Sequence, residues 1–424
     1  MSLTVAIVGS GPAGCYAAEQ LARGAPDATI DVIDRLPTPY GLVRAGVAPD
    51  HQGTKSVERV LERALTRPNV AFFGNVEIGR DLGLAELRRL YDAVILATGA
   101  PEDRRLGIPG EDLAGVFGSG VFTRWINGHP DAAELPVRLE GVRSVVVIGN
   151  GNVAIDVARV LAKSREEMAR SDLAPFIEAA IAAAPLEEIH IVGRRGPAEA
   201  HFTAVELDEL GSLARAMPVV KPTDLPPAAD ADNAAVLEIF HRFAAAPTAA
   251  KPIRIHFDFR LRPLRLEGSG KVERAIFERQ RRRGDSHEPT GETAILRADL
   301  VVACIGYRSI PCGDLGPENG VFRNDGGRIE PGLYVVGWAK RGPSGTIPTN
   351  RAEAHGVADR LLSEMSAGDK PGRAGLAAAL AARGTKAVDF GEWRAINAAE
   401  RARAGEGRPR EKLRRWEEFG TVRR

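Results

Sequence analysis

Two glycine turns, and the side chains that follow each of them, are the part of this sequence best suited to chemistry. Gly9-Ser10-Gly11-Pro12-Ala13-Gly14 has the spacing GxGxxG, after the apolar run Leu3–Val8 and before a helical pattern with small residues on one face. In such a turn Gly9 permits the tight bend, Gly11 lets backbone approach a pyrophosphate, and Gly14 lets the helix pack close to the strand. The helix N-terminus adds free N–H groups and about half a positive charge facing the phosphates. The next strand pattern, TIDVIDR, ends at Asp34, about 20 residues further on. A carboxylate there accepts hydrogen bonds from adenosine ribose hydroxyls. The glycine spacing alone is weak evidence, since a turn can carry it with no ligand. The strand, helix and placed acid together point to a dinucleotide.

Gly149-Asn150-Gly151-Asn152-Val153-Ala154 repeats the pattern as GxGxxA, about 140 residues later, again after an apolar strand. Here the following strand, EEIHIVGRR, ends in Arg194-Arg195. An acid would repel a 2′-phosphate, whereas guanidinium groups form charge-assisted, often bidentate bonds to it. The second loop therefore favours NADP over NAD, unless both arginines are simply solvated. The arginines lie about 40 residues beyond Ala154 instead of the usual ~20, so an Ala- and Glu-rich helical insertion over residues 163–184 is expected to fill the gap.

The surrounding elements alternate strand and helix, which implies parallel sheets covered on both faces. A helix is expected from about Lys55 to Arg67, and YDAVILATGA reads as a buried strand. Between them and Asp34, the Pro- and Gly-rich stretch RLPTPYGLVRAGVAPDHQG has neither period and is expected to be an ordered loop. Residues 253–302 look β-rich, ending in the strand ADLVVACIG. GLYVVGWA is a last strand before GPSGTIPTN and a helix near Arg351–Met365, and the tail after about Lys370 is polar, Arg-rich and irregular.

At 424 residues, with 44% hydrophobic content, the chain suits two or three domains. A net charge of +1 gives no global indication of nucleic acid or a membrane surface. No apolar run reaches the ~18 residues of a bilayer span, and the first strand starts with no basic leader. Cys15, Cys304 and Cys312 form no CxxC or CxxxxC pair. No redox dithiol, zinc knuckle or iron–sulfur ligand set is therefore expected, and a reducing, cytoplasmic setting is.

The segments PYGLVRAGVAPDH (39–51), GNGNVAIDVAR (149–159), VGRRGP (192–197), FTAVELDEL (202–210), IGYRS (305–309) and GWAKRGPSGTIPTN (337–350) resemble the adrenodoxin reductase family of ferredoxin–NADP reductases. The resemblance covers essentially the whole chain. It implies an α/β protein of two Rossmann-like dinucleotide-binding domains, with an NADP domain (103–306) inserted into a split FAD domain (1–102 and 307–424). It implies FAD and NADP as cofactors and a small, acidic, ferredoxin-type iron–sulfur protein as electron acceptor. Matched by motif, Ala13, Asp34, Leu42 and Val76 fall at FAD-contacting positions, and Trp338 and Gly345-Thr346-Ile347 near the flavin ring. Asn150, Gly151, Asn152, Val153, Arg194, Arg195, Glu206 and Gly345 fall at NADP contacts. His51, with Glu209, is expected beside the flavin, orienting nicotinamide or relaying a proton. Two residues depart from the family pattern: Asp34 stands where Glu is frequent, and Pro348 where a smaller residue is expected. Trp338 also reads as core, Glu206 as a solvated helix residue, and His51 as a neighbour of a helix cap.

NADPH delivers two electrons as hydride, an iron–sulfur cluster accepts one, and a flavin reconciles the two. Such chemistry needs two adjoining nucleotide sites and no nucleophile or metal. Thioredoxin- and glutathione-reductase-like enzymes need a cysteine pair, and the small subunit of glutamate synthase has an N-terminal cysteine-rich domain. Both features are missing here. A flavin oxidase or monooxygenase and a non-enzymatic NADPH or flavin sensor remain as alternatives. Arg242 and the run Arg279–Arg283 are the candidate docking charges for an acidic partner, the run reading equally as a solvated turn.

Overall fold

The computed structural model describes residues 2–227, 233–247, 250–284 and 286–422. Its strands are β1 (Thr4–Val8), β2 (Thr29–Ile33), β3 (Val70–Phe73), β4 (Ala93–Leu96), β5 (Glu102–Asp103), β6 (Val116–Gly118), β7 (Ser144–Ile148), β8 (Glu188–Val192), β9 (Ala216–Val219), β10 (Ile253–Asp258), β11 (Leu261–Glu267), β12 (Arg274–Arg283), β13 (Ser286–Arg297), β14 (Leu300–Ala303), β15 (Tyr307–Arg308), β16 (Arg328–Glu330) and β17 (Leu333–Val335). They form two large sheets. One has the order β16-β17-β4-β1-β2-β3, drawing strands from both ends of the chain, and the other β6-β14-β7-β8-β10-β9. All neighbours in the two sheets pair in parallel except β16 with β17.

The central strands β1 (TVAIV) and β7 (SVVVI) are buried along their whole length, as continuous apolar runs in a doubly covered sheet should be. Side chains alternate between faces. Val5 and Ile7 of β1 pack under the helices Pro12–Gly24 and Ile347–Glu364, whereas Ala6 and Val8 join Leu87, Leu376 and Leu380 below. In the second sheet Val145 and Val147 meet the helix Asn152–Ala162, and Val146 and Ile148 face the other way. Among the described residues, no helix packs into the core on that other face. Residues 261–297 form a separate antiparallel sheet, β11-β12-β13, whose Leu261, Leu266 and Phe277 close the core there. The β-rich reading of 253–302 thus divides: β10 and β14 belong to the parallel sheet, and the hairpins between them form its cover. The insertion after the second loop contains the helices Arg165–Met168 and Pro175–Ala183.

The chain crosses between the two sheets at β5 and again at β15, and these two segments pair with each other, Tyr307 opposite Asp103 and Arg308 opposite Glu102. Asp103 also accepts bonds from the N–H groups of Gly120 and Val121, at 2.7 and 3.0 Å, closing the N-terminus of the helix Ser119–Ile126.

The tail differs from expectation. It contains the helices Gly372–Ala382, Phe390–Arg403 and Trp416–Val422. A capping box between Asp389 and Glu392 starts the second of these, and Trp393 and Ile396 are buried in the first-sheet core. Several of its charges pair with the body of the protein. Glu400 holds Arg44 at 2.5 Å, Arg410 holds Glu58 at 2.7 Å, and Arg408 pairs with Glu178. Lys412 and Lys55 share the carboxylate of Asp172 at 2.8 and 3.0 Å. Burial pushes Lys412 down to about 7. Among the described residues, no helix is long and apolar enough to cross a membrane.

Candidate active site

The first glycine loop joins β1 to the helix Pro12–Gly24 and is clamped by its neighbours. Gly9 has φ 113° and its N–H donates to the Ile33 carbonyl at 2.7 Å. A Cβ on Gly9 would lie 2.3 Å from the Ala97 carbonyl oxygen, and one on Gly14 would lie 2.0 Å from the Gly9 oxygen. A Cβ on Gly11, by contrast, would meet nothing within 4 Å. The loop is therefore tight where it touches protein and open on one side, above the helix N-terminus.

Asp34 takes part in holding that loop. Its Oδ2 accepts from the Ser10 N–H at 2.8 Å and hydroxyl at 2.5 Å, and its Oδ1 from the Leu36 N–H at 2.9 Å. Of about four lone-pair sites on a carboxylate, three are used within the protein. Burial raises its carboxyl above the usual range, against the lowering effect of these hydrogen bonds. The Val76 N–H donates to the Asp34 carbonyl at 2.9 Å, so the two matched positions are neighbours. The expected loop after Asp34 contains the short helical turns Leu42–Ala45 and Gln52–Lys55. Its Tyr40 N–H donates to the Ser10 carbonyl at 3.0 Å, and Leu42 next to Gly41 is left 45% exposed.

The second loop repeats the same backbone geometry. Gly149 donates to the Val192 carbonyl at 2.9 Å, a Cβ on it would lie 2.2 Å from the Cys304 oxygen, and a Cβ on Gly151 would again meet nothing within 4 Å. Asn150 lies against Gly193, and its Oδ1 is buried without a partner. The Asn152 side chain accepts from the Thr203 N–H at 2.8 Å, tying the loop to the helix Ala204–Glu209. Arg194 and Arg195 project from the end of β8, both exposed and without a side-chain partner among the described residues.

The C-terminal segment reaches the first loop through Gly337, where a Cβ would lie 2.7 Å from the Cβ of Ala13. Trp338 is partly exposed, stacks on Tyr307 with ring centroids 5.8 Å apart, and donates from Nε1 to the Ser344 carbonyl at 3.1 Å. Its partial exposure sets it apart from the core. Gly345 and Thr346 are exposed, and Thr346 caps the helix that begins at Ile347. Pro348 occupies the first turn of that helix, where a missing N–H removes no intrahelical bond.

His51 and Glu209, expected to act together, do meet: Nε2 lies 3.3 Å from Oε2. The same nitrogen lies 3.5 Å from Glu206, and Nδ1 lies 3.8 Å from Asp156. Motif reading did not single out Asp50, Asp156, Arg159 or Lys163, which organise this cluster. The fully buried Arg159 bonds Asp50 at 2.8 Å, Asp156 at 2.8 Å and Glu206 at 3.2 Å, and Lys163 bonds Asp50 at 2.7 Å. Burial works against the Asp50 charge, but Arg159 and Lys163 hold its carboxyl well below the usual range. Burial raises both Asp156 and Glu206, and Asp156 further raises Glu206 by like charge. The available signal was an Asp and an Arg three residues apart in the otherwise apolar helix NVAIDVARVLA. The cluster joins a loop of the first sheet to two helices of the second.

All three cysteines are free. Burial raises Cys15 and Cys304 and pushes Cys312 up to about 11, so none is a ready thiolate.

A family model described as pyridine nucleotide-disulphide oxidoreductase matches residues 3–193. NADPH-ferredoxin reductase FprA of Mycobacterium tuberculosis is 40% identical over 441 residues, covering 96% of this chain and 96% of that protein. The mitochondrial NADPH:adrenodoxin oxidoreductase of Arabidopsis thaliana is 38% identical over 456 residues, covering 98% of this chain and 94% of that one. The solved structure of Mycobacterium tuberculosis FprA in complex with NADPH matches with a TM-score of 0.95 at 38% identity, over 100% of both chains.

Proposed function

The chain belongs to the NADPH–ferredoxin reductases of the adrenodoxin reductase type, and from that premise we propose how its residues divide the work. Its reaction is the oxidation of NADPH, with FAD as the prosthetic group and a ferredoxin-type iron–sulfur protein as the acceptor. The observation that carries the assignment of residues is the repeated loop geometry. In each loop the first glycine is packed against a neighbouring strand end while the middle one faces open space.

FAD fits the first loop. Gly9, Gly11, Ala13 and Gly14 form a cradle that a side chain on Gly11 would fill, with Asp34, Leu42 and Val76 beside it. Thr98 next to it keeps a buried hydroxyl without a partner. Trp338 and Gly345-Thr346-Ile347 would line the ring end. Bound there, FAD supplies an acceptor for hydride that releases electrons singly. Gly149–Val153 would hold the NADP pyrophosphate, and Arg194 and Arg195 its 2′-phosphate. We take residues 1–102 and 307–424 as the FAD domain and 103–306 as the NADP domain, the paired β5 and β15 being the two crossings.

In this reading His51, Glu206 and Glu209 position the nicotinamide, because their cluster sits where the two sheets' loops meet. Arg159 fixes the carboxylates, so His51 has a defined place at which to hold a proton. His51→Gln should slow NADPH-driven flavin reduction roughly tenfold to a hundredfold at unchanged FAD content, and an unchanged rate would remove His51 from the reaction.

The acceptor is proposed to be acidic and the setting cytoplasmic. Arg242 pairs with Asp208, and Arg283 with Glu288 at 3.3 Å, while Arg281 has no side-chain partner among the described residues. The run lies on strand β12 and not in a turn. Surface ion pairs contribute little, so a partner's carboxylates can replace these internal ones.

Anaerobic titration of the purified holoprotein tests the whole reading. One equivalent of NADPH should bleach the flavin, NADH should do so poorly, and oxidised ferredoxin should restore the colour. A flavin that NADPH leaves oxidised would refute it. Ferredoxin reduction should also weaken as salt rises, and a flat response would remove the acidic docking face.

A further inference from the structure

The second sheet carries a cluster that dinucleotide chemistry leaves unused. Strands β8 and β10 are parallel neighbours, with His256 opposite His190 and Arg254 opposite Glu188. Side-chain alternation puts Glu188, His190, His256 and Asp258 on one face. The two imidazoles stack, with centroids 4.7 Å apart and planes 13° apart. Asp258 lies 2.8 Å from His190 Nδ1. An N–H at that position leaves the lone pair of Nε2 directed away from Asp258. Glu188 straddles the free ring nitrogens, one oxygen 3.5 Å from His190 Nε2 and the other 3.8 Å from His256 Nε2. Neither contact is a hydrogen bond, and the His256 Nε2 is a buried atom with no hydrogen-bond partner among the described residues.

We propose that Glu188, His190 and His256 bind a divalent first-row transition-metal ion, best fitted by zinc, with Asp258 orienting His190. One ligand atom from each of the three lies within 4.8 Å of the others. Two imidazole nitrogens and a carboxylate oxygen form a zinc ligand set that leaves a fourth position for water. The carboxylate–histidine contact from Asp258 is the usual support for such a ligand. Zinc–nitrogen bonds of about 2.0–2.1 Å require the ring nitrogens to converge, and the 40% exposed Glu188 side chain is free to follow.

In a second group, one ligand atom each from His51, Asp156 and Glu206 also lies within 4.8 Å of the others. There the guanidinium of Arg159 already bonds both carboxylates, at 2.8 and 3.2 Å. At the β8–β10 cluster no Lys or Arg pairs with Glu188 or Asp258 among the described residues, and the negative charge is left for a cation.

The test uses FAD-loaded, chelator-treated protein titrated with zinc sulfate by calorimetry, with cobalt(II) absorption as a second probe. One zinc per chain should bind with a dissociation constant in the micromolar range or tighter. Glu188→Gln and His256→Gln should each weaken binding at least tenfold, and Asp258→Asn roughly tenfold to a hundredfold. His51→Gln should leave zinc binding unchanged. No stoichiometric binding to the wild type, or equal binding by the Glu188 and His256 variants, would overturn the site. If the His256 variant does not fold, Glu188→Gln, at a partly exposed position, decides. Since zinc is counted directly, the result is independent of whether NADPH reduces the flavin.

Discussion

The two glycine loops share a backbone and differ in what stands at the end of the next strand. A Cβ on Gly9 or Gly149 would lie within 2.3 Å of a carbonyl oxygen, whereas one on Gly11 or Gly151 would meet open space. At the first loop, the following acid is already engaged, with Asp34 accepting three bonds from Ser10 and Leu36. At the second, Arg194 and Arg195 extend into solvent. Bonds within the protein fix the Asp34 side chain, so holding it in place on binding costs little conformational entropy. The second must immobilise two long side chains, each at a cost of about 0.5–1.5 kcal/mol. The difference matches the proposed tenants. A prosthetic group stays in a preorganised seat, and a coenzyme that must leave after each turnover meets a looser one.

The sharpest test separates the open glycine from the packed ones. Gly11→Val adds atoms only to open space, so the protein should fold, with circular dichroism close to wild type, yet purify without colour. Gly14→Val drives Cβ into the Gly9 carbonyl, 2.0 Å away. Overpacking against rigid backbone costs upward of roughly 1–3 kcal/mol, so this variant should lose soluble yield instead. If Gly11→Val retains full FAD occupancy, the cradle has been misassigned. At the second loop, Gly151→Val should leave the flavin in place and abolish NADPH binding.

Next in size is the arginine pair. Arg194→Ala with Arg195→Ala removes charge-assisted bonds of roughly 1.5–3 kcal/mol each. The preference for NADPH over NADH should fall by two orders of magnitude or more, chiefly through KM for NADPH, at unchanged flavin content and melting temperature. A preserved preference would mean that the 2′-phosphate is held elsewhere.

How much of this could be read from sequence depends on how local the cause is. The glycine spacings were legible because a steric demand over six residues leaves its mark in those six. The helices of the tail were not. Their Ala- and Arg-rich sequence has a weak apolar face, and their anchors are distant pairs such as Arg44–Glu400 and Arg410–Glu58. The carboxylate cluster was half legible. His51 and Glu209 were matched by motif, but Arg159 became visible only when folding brought Asp50 to it, 109 positions away in sequence. Residues 253–302 showed their strand character by alternation, which says nothing about which sheet a strand joins. Alternation also could not show that a hairpin sheet, and not helices, covers the second face.

The smallest expected effect tests whether Asp34 is held by the protein itself. Asp34→Asn replaces a carboxylate with a group that has one acceptor oxygen, while three N–H or O–H donors still point at it. Leaving a donor unmet costs about 1–3 kcal/mol, so the apoprotein itself should lose stability, before FAD is added. The arginine variants should show no such loss, because no side chain among the described residues pairs with them. The pH dependence has a definite sign. Burial raises Asp34 in the folded state, so the fold binds its proton more readily than the unfolded chain does. That contribution is fully present below the unfolded value and is lost as pH rises through the raised one. The stability gap between wild type and Asp34→Asn should therefore be widest in acid and narrow toward neutrality, read by urea melts of the flavin-free proteins. A gap that is zero at every pH, with FAD affinity alone reduced, would make Asp34 a ligand contact like the arginines and erase the contrast between the two loops.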